Sequence, residues 1–149
     1  MSAPLPAIDR LGILVAALWW GSASAIGLWV VPLLFAYQPT PALAGAMAAR
    51  LFSAQTWVAL GCALVLLMVA RPRGGAPRMD WGRGALVWLL AGVLVALLLE
   101  FAVAPRIVAR DNLRLWHAVG TGLYLMQCVC AGVVLYKLAG GPGNAHPER

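Results

Sequence analysis

Between Leu11 and Ala36 the chain runs through 26 residues without a single charge, and Leu51 to Ala70 adds another 20. At about 1.5 Å per residue, either run crosses a hydrocarbon core of roughly 30 Å. Gly84 to Ala104 supplies 21 more residues, interrupted only by Glu100. Leu115 to Tyr136 supplies 22, in which His117 is the one ionisable group besides cysteine and tyrosine. Backbone polar groups cannot be left unpaired in lipid, and these runs lack the alternation of barrel strands, so each predicts a helix. The expected fold is an all-α integral membrane protein, a four transmembrane helix bundle with spans at about 11–36, 42–70, 83–104 and 113–137.

Composition agrees with a bilayer as solvent. The 149 residues are 62% hydrophobic and 11% charged, with a mean hydropathy of +0.84, whereas soluble domains are about half apolar. A net charge of +6 with eleven Lys and Arg invites a nucleic-acid partner. Basic residues flanking long uncharged runs are instead what membrane topology requires, so no nucleic acid is expected. Arg10, Arg71, Arg73, Arg78, Arg83, Lys137 and Arg149 fall on one side of a four-span chain, against Arg50, Arg106, Arg110 and Arg114 on the other. Seven against four predicts both termini in the cytoplasm of a bacterial inner membrane, with residues 1–10 as the amino end and 139–149 as a flexible tail. Trp81 and Tyr136 then lie near the inner interface, and Trp29, Tyr37 and Trp116 near the outer one. A cleaved signal peptide ending at Ser22-Ala23-Ser24 is disfavoured because the apolar run continues through Val31.

Local signals shape the connections. Thr40 is placed to cap a helix whose first residue is Pro41. Residues 71–78 form a basic, breaker-rich loop, and Pro105 opens a polar connection through Asn112 and Arg114. Pro32 and Pro105 are expected helix breaks. Ala17, Gly21 and Ala25, and likewise Gly45, Ala49 and Ser53, recur every fourth residue and are the expected packing seams, or else faces for a homo-oligomer. Ser22, Ser24, Thr56 and Thr121 are expected to bond carbonyls of their own helices.

Under this topology three polar side chains share a leaflet: Arg50 beside the second span, Glu100 about one turn from the outer end of the third, and His117 at the start of the fourth. Charges in spans turn inward and pair. Glu100 is therefore expected to accept from Arg50 or His117, with Gln55 nearby and Arg106, Arg110 and Arg114 forming a basic rim. That rim stacks on one helix face if the third helix continues past Pro105. On one view the cluster fixes helix order and the rim meets anionic lipid headgroups. On the other, it is a basic vestibule binding an anionic ligand or relaying protons.

Redox and catalytic signals are weak by comparison. Cys128-Val129-Cys130 sets its sulfurs about 200° apart on a helix and matches no redox or haem-attachment spacing. Met126 and Cys130, four residues apart, are candidate soft ligands for copper, with His117 as a further metal candidate. No phosphate loop, nucleophile elbow or zinc pattern is present in the sequence. No cofactor is predicted, and haem or copper held by His117 is the alternative; a small homodimeric transporter is a third.

Taken in order, Trp20-Gly21, Val31-Pro32-Leu33-Leu34-Phe35, Ala44-Gly45, Arg50-Leu51-Phe52, Ala104-Pro105-Arg106-Ile107 and Leu115-Trp116-His117 resemble the bacterial domain of unknown function 4149 family. That family is similar to the eukaryotic transmembrane protein 205. The resemblance spans about residues 11 to 138 and implies a four-span inner-membrane protein, with no reaction attached. A more distant likeness is to the CopD-like membrane proteins and membrane-bound protoporphyrinogen oxidase. Those proteins use span histidines for metal or haem; here the first span has none, and Pro32, Glu100 and His117 are the positions carried over. The expected role is a non-catalytic binding or accessory protein.

Overall fold

The computed structural model describes residues 6–70 and 84–140. They form four long helices with no strand among them: α1 Ala7–Tyr37, α2 Pro41–Val69, α3 Ala85–Val108 and α4 Leu113–Ala139. With 31, 29, 24 and 27 residues, they measure about 36–46 Å and exceed the hydrocarbon thickness. The chain is a multi-pass membrane protein. Arg71, Arg73, Arg78, Arg83, Trp81 and Arg149 lie outside the described residues.

Helix ends follow local chemistry. Thr40 has an extended backbone and its hydroxyl accepts from the Leu43 N–H at 3.3 Å, while Pro41 takes the first helical position. Asn112 caps α4 by accepting from the Leu115 N–H at 3.4 Å. The α3–α4 connection is tight: Arg110 (φ 58°) and Asn112 (φ 32°) both adopt positive φ. Helix α1 starts four residues before Leu11, and Asp9 in its first turn suits the positive end of the helix dipole.

Neither proline breaks its helix. The N–H of Val31 donates to the carbonyl of Ile26, five residues back, and a π-turn over Ile26–Val30 carries α1 through Pro32. In α3 the N–H of Ala104 donates to Leu99, and a π-turn over Leu99–Val103 carries the helix through Pro105 to Val108. A proline lacks an N–H and its ring crowds the carbonyl four residues back; widening the preceding turn relieves that clash without ending the helix.

The two π-turns divide the bundle. The half in which α1 begins and α4 ends is packed: Trp19, Leu66, Leu89 and Val134 interleave with Ala16, Ala59, Ala63, Ala96 and Ala131. Lipid gives apolar side chains no drive to leave it, so close contact between small residues holds such helices together. Gly92 of α3 lets the Trp19 ring lie against its backbone, where a Cβ would stand 2.7 Å from the ring. Gly132 of α4 admits Trp20 in the same way, with 3.0 Å left to its indole nitrogen.

The seams differ from those expected. On α1 the buried stripe is Gly12, Ala16, Trp19 and Ala23; Ala17, Gly21 and Ala25 are offset from it, and Ala25 is exposed. On α2 the buried stripe runs through Ala44, Ala48, Thr56, Ala59 and Ala63. Gly45, Ala49 and Ser53 line a cavity whose wall Ala48 and Thr56 also share. Beyond the π-turns the helices separate into pairs, with the end of α1 resting on α2 and the end of α3 on α4. That is the hollow half.

Candidate functional site

The cavity between these pairs has a volume of about 430 Å³ and takes its walls from all four helices. Leu28, Val31, Leu99, Val103 and Ile107 make it largely apolar, and Ser53, Glu100, His117, Thr121, Tyr124 and Gln127 add the polar part. Its size falls within the range of small-molecule pockets, about 300–1,000 Å³.

Tyr124 braces the wall. Its hydroxyl donates to the Ala23 carbonyl at 2.8 Å, and its ring meets Phe52 edge-on with centroids 4.8 Å apart. Gly27 is what admits the ring, since a Cβ there would approach Tyr124 Cε1 to 2.7 Å. α1 and α4 are thus tied where the cavity begins.

Glu100 lies in the π-turn of α3, half-buried, and its Oε1 accepts from the Ser53 hydroxyl at 2.7 Å. The partner is not the one expected. Arg50 sits three residues before Ser53, is exposed, lies outside the cavity walls and forms no ion pair with Glu100. His117 does line the cavity, yet its recorded bond is through its backbone carbonyl, which accepts from Thr121 at 2.8 Å. So the structure brings Glu100 and His117 to one cavity and leaves Arg50 out.

Gln55 turns the other way. It is 1% exposed, its Nε2 donates to the Ser22 hydroxyl at 3.1 Å, and Ser22 donates to the Trp19 carbonyl at 3.1 Å. Gln55 therefore links α2 to α1 and does not join Glu100; its Oε1 has no partner. Thr56 bonds the Phe52 carbonyl of its own helix at 3.3 Å, as expected, whereas Ser24 lines the cavity.

The basic rim is dispersed. Helix α3 ends at Val108, so Arg106, Arg110 and Arg114 stand on α3, on the connection and on the first turn of α4, and they do not stack on one face. All three are exposed. The Arg106 guanidinium lies 4.3 Å from the centre of the Trp116 ring, a cation–π contact that pins the connection.

Two buried polar groups, one in the cavity wall and one in the packed half, went unnoticed in the sequence. Gln127 is 1% exposed, contributes to the cavity wall, and its Nε2 has no hydrogen-bond partner. An amide amid uncharged helix residues was the available signal, because a polar group buried in hydrocarbon is costly unless bonded. Trp19 is wholly buried with its indole N–H unpartnered, and it reads in the sequence as one more apolar residue. Of the candidate metal ligands, Met126 is exposed, Cys130 is buried against Gly92 and His117 lines the cavity, so these three side chains do not converge. Among the described residues no three His, Cys, Asp or Glu gather to hold a metal ion.

No curated protein and no solved structure matches the chain. A family model, described as "Domain of unknown function (DUF4149)", matches residues 14–115 and so covers more than half of the 149 residues. With four apolar helices of spanning length around a cavity at one end, the chain belongs to that family of multi-pass membrane proteins.

Proposed function

We propose that the chain is a non-catalytic binding or accessory protein of the bacterial inner membrane, whose hollow half holds a small molecule with an apolar body. The observation that carries this is a carboxylate short of partners in an apolar cavity. Glu100 is half-buried, and its side-chain partner among the described residues is the neutral Ser53 hydroxyl on Oε1. A carboxylate in a membrane is costly when unmatched, and an occupant that bonds it offsets the cost.

The seven-to-four distribution of Lys and Arg supports cytoplasmic termini, which sets the hollow half in the outer leaflet. Arg50, Arg106, Arg110 and Arg114 then face the outer headgroup layer, where anionic phosphates pair with them. A reporter fused after Arg149 is expected to be active only in the cytoplasm; activity in the periplasm inverts the assignment.

Binding has a direct test. Gly45 lines the cavity and a Cβ added there meets nothing within 4 Å, so Gly45→Trp fills the space without disturbing a packed contact. Native mass spectrometry of the protein released from mild detergent should show a co-purified adduct in the wild type and none in Gly45→Trp. Bare protein in both cases, with identical thermal stability, would sink the proposal.

A further inference from the structure

We infer that the cavity selects a lipophilic cation, meaning an apolar molecule that carries one positive charge. This rests on the reading of the cavity as a binding site, and adds the sign of the charge it accepts.

The sign comes from which ionisable groups the walls contain. Among the described lining residues Glu100 is the one carboxylate, and none of Arg50, Arg106, Arg110 or Arg114 is among them. The other ionisable side chains among the described lining residues are those of His117, Tyr124 and Cys128. The positive residues of the hollow half therefore face outward, and the interior holds a carboxylate whose recorded partner is the neutral Ser53 hydroxyl. A charge inside a spanning segment calls for an opposite charge, and these walls supply none that is fixed.

Aromatic placement points the same way. Phe52 adjoins Ser53 in sequence, and Phe52 and Tyr124 both line the cavity with their rings 4.8 Å apart. The Tyr124 hydroxyl already donates its proton to the Ala23 carbonyl, so it has no free donor to offer an anion. Carboxylate and aromatic pair thus share one stretch of α2 and the helices facing it. Aromatic surface beside a negative charge is how proteins hold ammonium and other diffuse cations. An anion of the same shape would meet the carboxylate with no Lys or Arg among the described lining residues to offset it.

Two ions of near-identical shape and opposite charge separate the possibilities: tetraphenylphosphonium and tetraphenylborate. Binding of each to the full-length protein in mild detergent is measured by equilibrium dialysis, with protein-free micelles subtracted. The expected result is saturable binding of the phosphonium, one per chain, at least tenfold tighter than the borate. Glu100→Gln should erase that preference, while Arg114→Gln, at an exposed position outside the cavity walls, should keep it. Equal binding of the two ions, or preference for the borate, overturns the charge assignment and leaves the binding cavity standing. Binding of neither ion overturns both. The wild-type comparison decides the matter even if Glu100→Gln fails to fold.

Discussion

Two inward-facing glycines capture how the halves of this bundle differ. At Gly92 an added Cβ would lie 2.7 Å from the Trp19 ring and 3.2 Å from the Cβ of Cys130. At Gly45 it would meet nothing within 4 Å. The first glycine exists so that helices can touch, and the second borders a space that the helices leave open. The same chain thus invests one end of its bundle in contact and the other in a cavity, and the π-turns mark the boundary. Helix association in lipid depends on contact, so the packed half must supply most of the fold's stability. The hollow half is then relieved of that task and can hold polar groups that a stability-driven core would exclude.

Substitutions should expose the asymmetry. Trp19→Ala is expected to be the most damaging, costing about 3–5 kcal/mol as a large-to-small change in a filled core. It should register as the steepest fall in melting temperature in mild detergent, and a drop no larger than that of a cavity-wall variant would contradict the division into halves. Gly92→Ala should follow at about 1–3 kcal/mol, since a methyl there displaces a fully enclosed ring. Its effect should shrink when combined with Trp19→Phe, which makes room, so a double-mutant cycle reads the contact directly.

Ser53→Ala removes the bond to Glu100, and about 1 kcal/mol is expected, because the carboxylate is half-buried and partly open to other partners. Urea or dodecyl sulfate titration of the unfolding midpoint would measure it. Arg50→Gln should leave stability within about 0.5 kcal/mol, as for other exposed positions. A larger loss at Arg50 than at Ser53 would restore the ion pair that the geometry denies. Gly45→Leu should change stability least of all while abolishing occupancy, and a stability loss as large as that of Gly92→Ala would erase the distinction between the halves.

The four helices were legible in the sequence because spanning a membrane demands length and apolarity, and both are one-dimensional properties. Thr40 and Pro41 were legible as a helix start for a similar reason, since capping depends on three or four consecutive residues. Facing directions were not. A helix that is apolar all round has no polar stripe to mark its outer side, so spacing alone cannot choose between Ala17-Gly21-Ala25 and the buried Ala16, Trp19 and Ala23. Depth was easier than azimuth. Glu100 and His117 both line one cavity, but the residue of α2 that meets Glu100 is Ser53, three positions from Arg50. The π-turn at Leu99–Val103 rotates the carboxylate relative to a regular helix, and nothing in a proline's spacing announces whether the chain will kink, stop or widen. Gln55 and Gln127 show the same limit: both are amides buried near mid-span, yet one bonds a neighbouring helix and the other borders the cavity.

The paired π-turns have a consequence for how such a protein changes over generations. Ile26–Val30 and Leu99–Val103 each stand six residues from first residue to proline, at the level where packing gives way to space. A single residue gained or lost within either turn rotates everything beyond it by roughly 100° while advancing it by only about 1.5 Å. Such a change re-aims the cavity wall while the Trp19 core on the other side of the turn keeps its register. The two π-turns are therefore the places where the cavity's lining can be altered apart from the packed contacts.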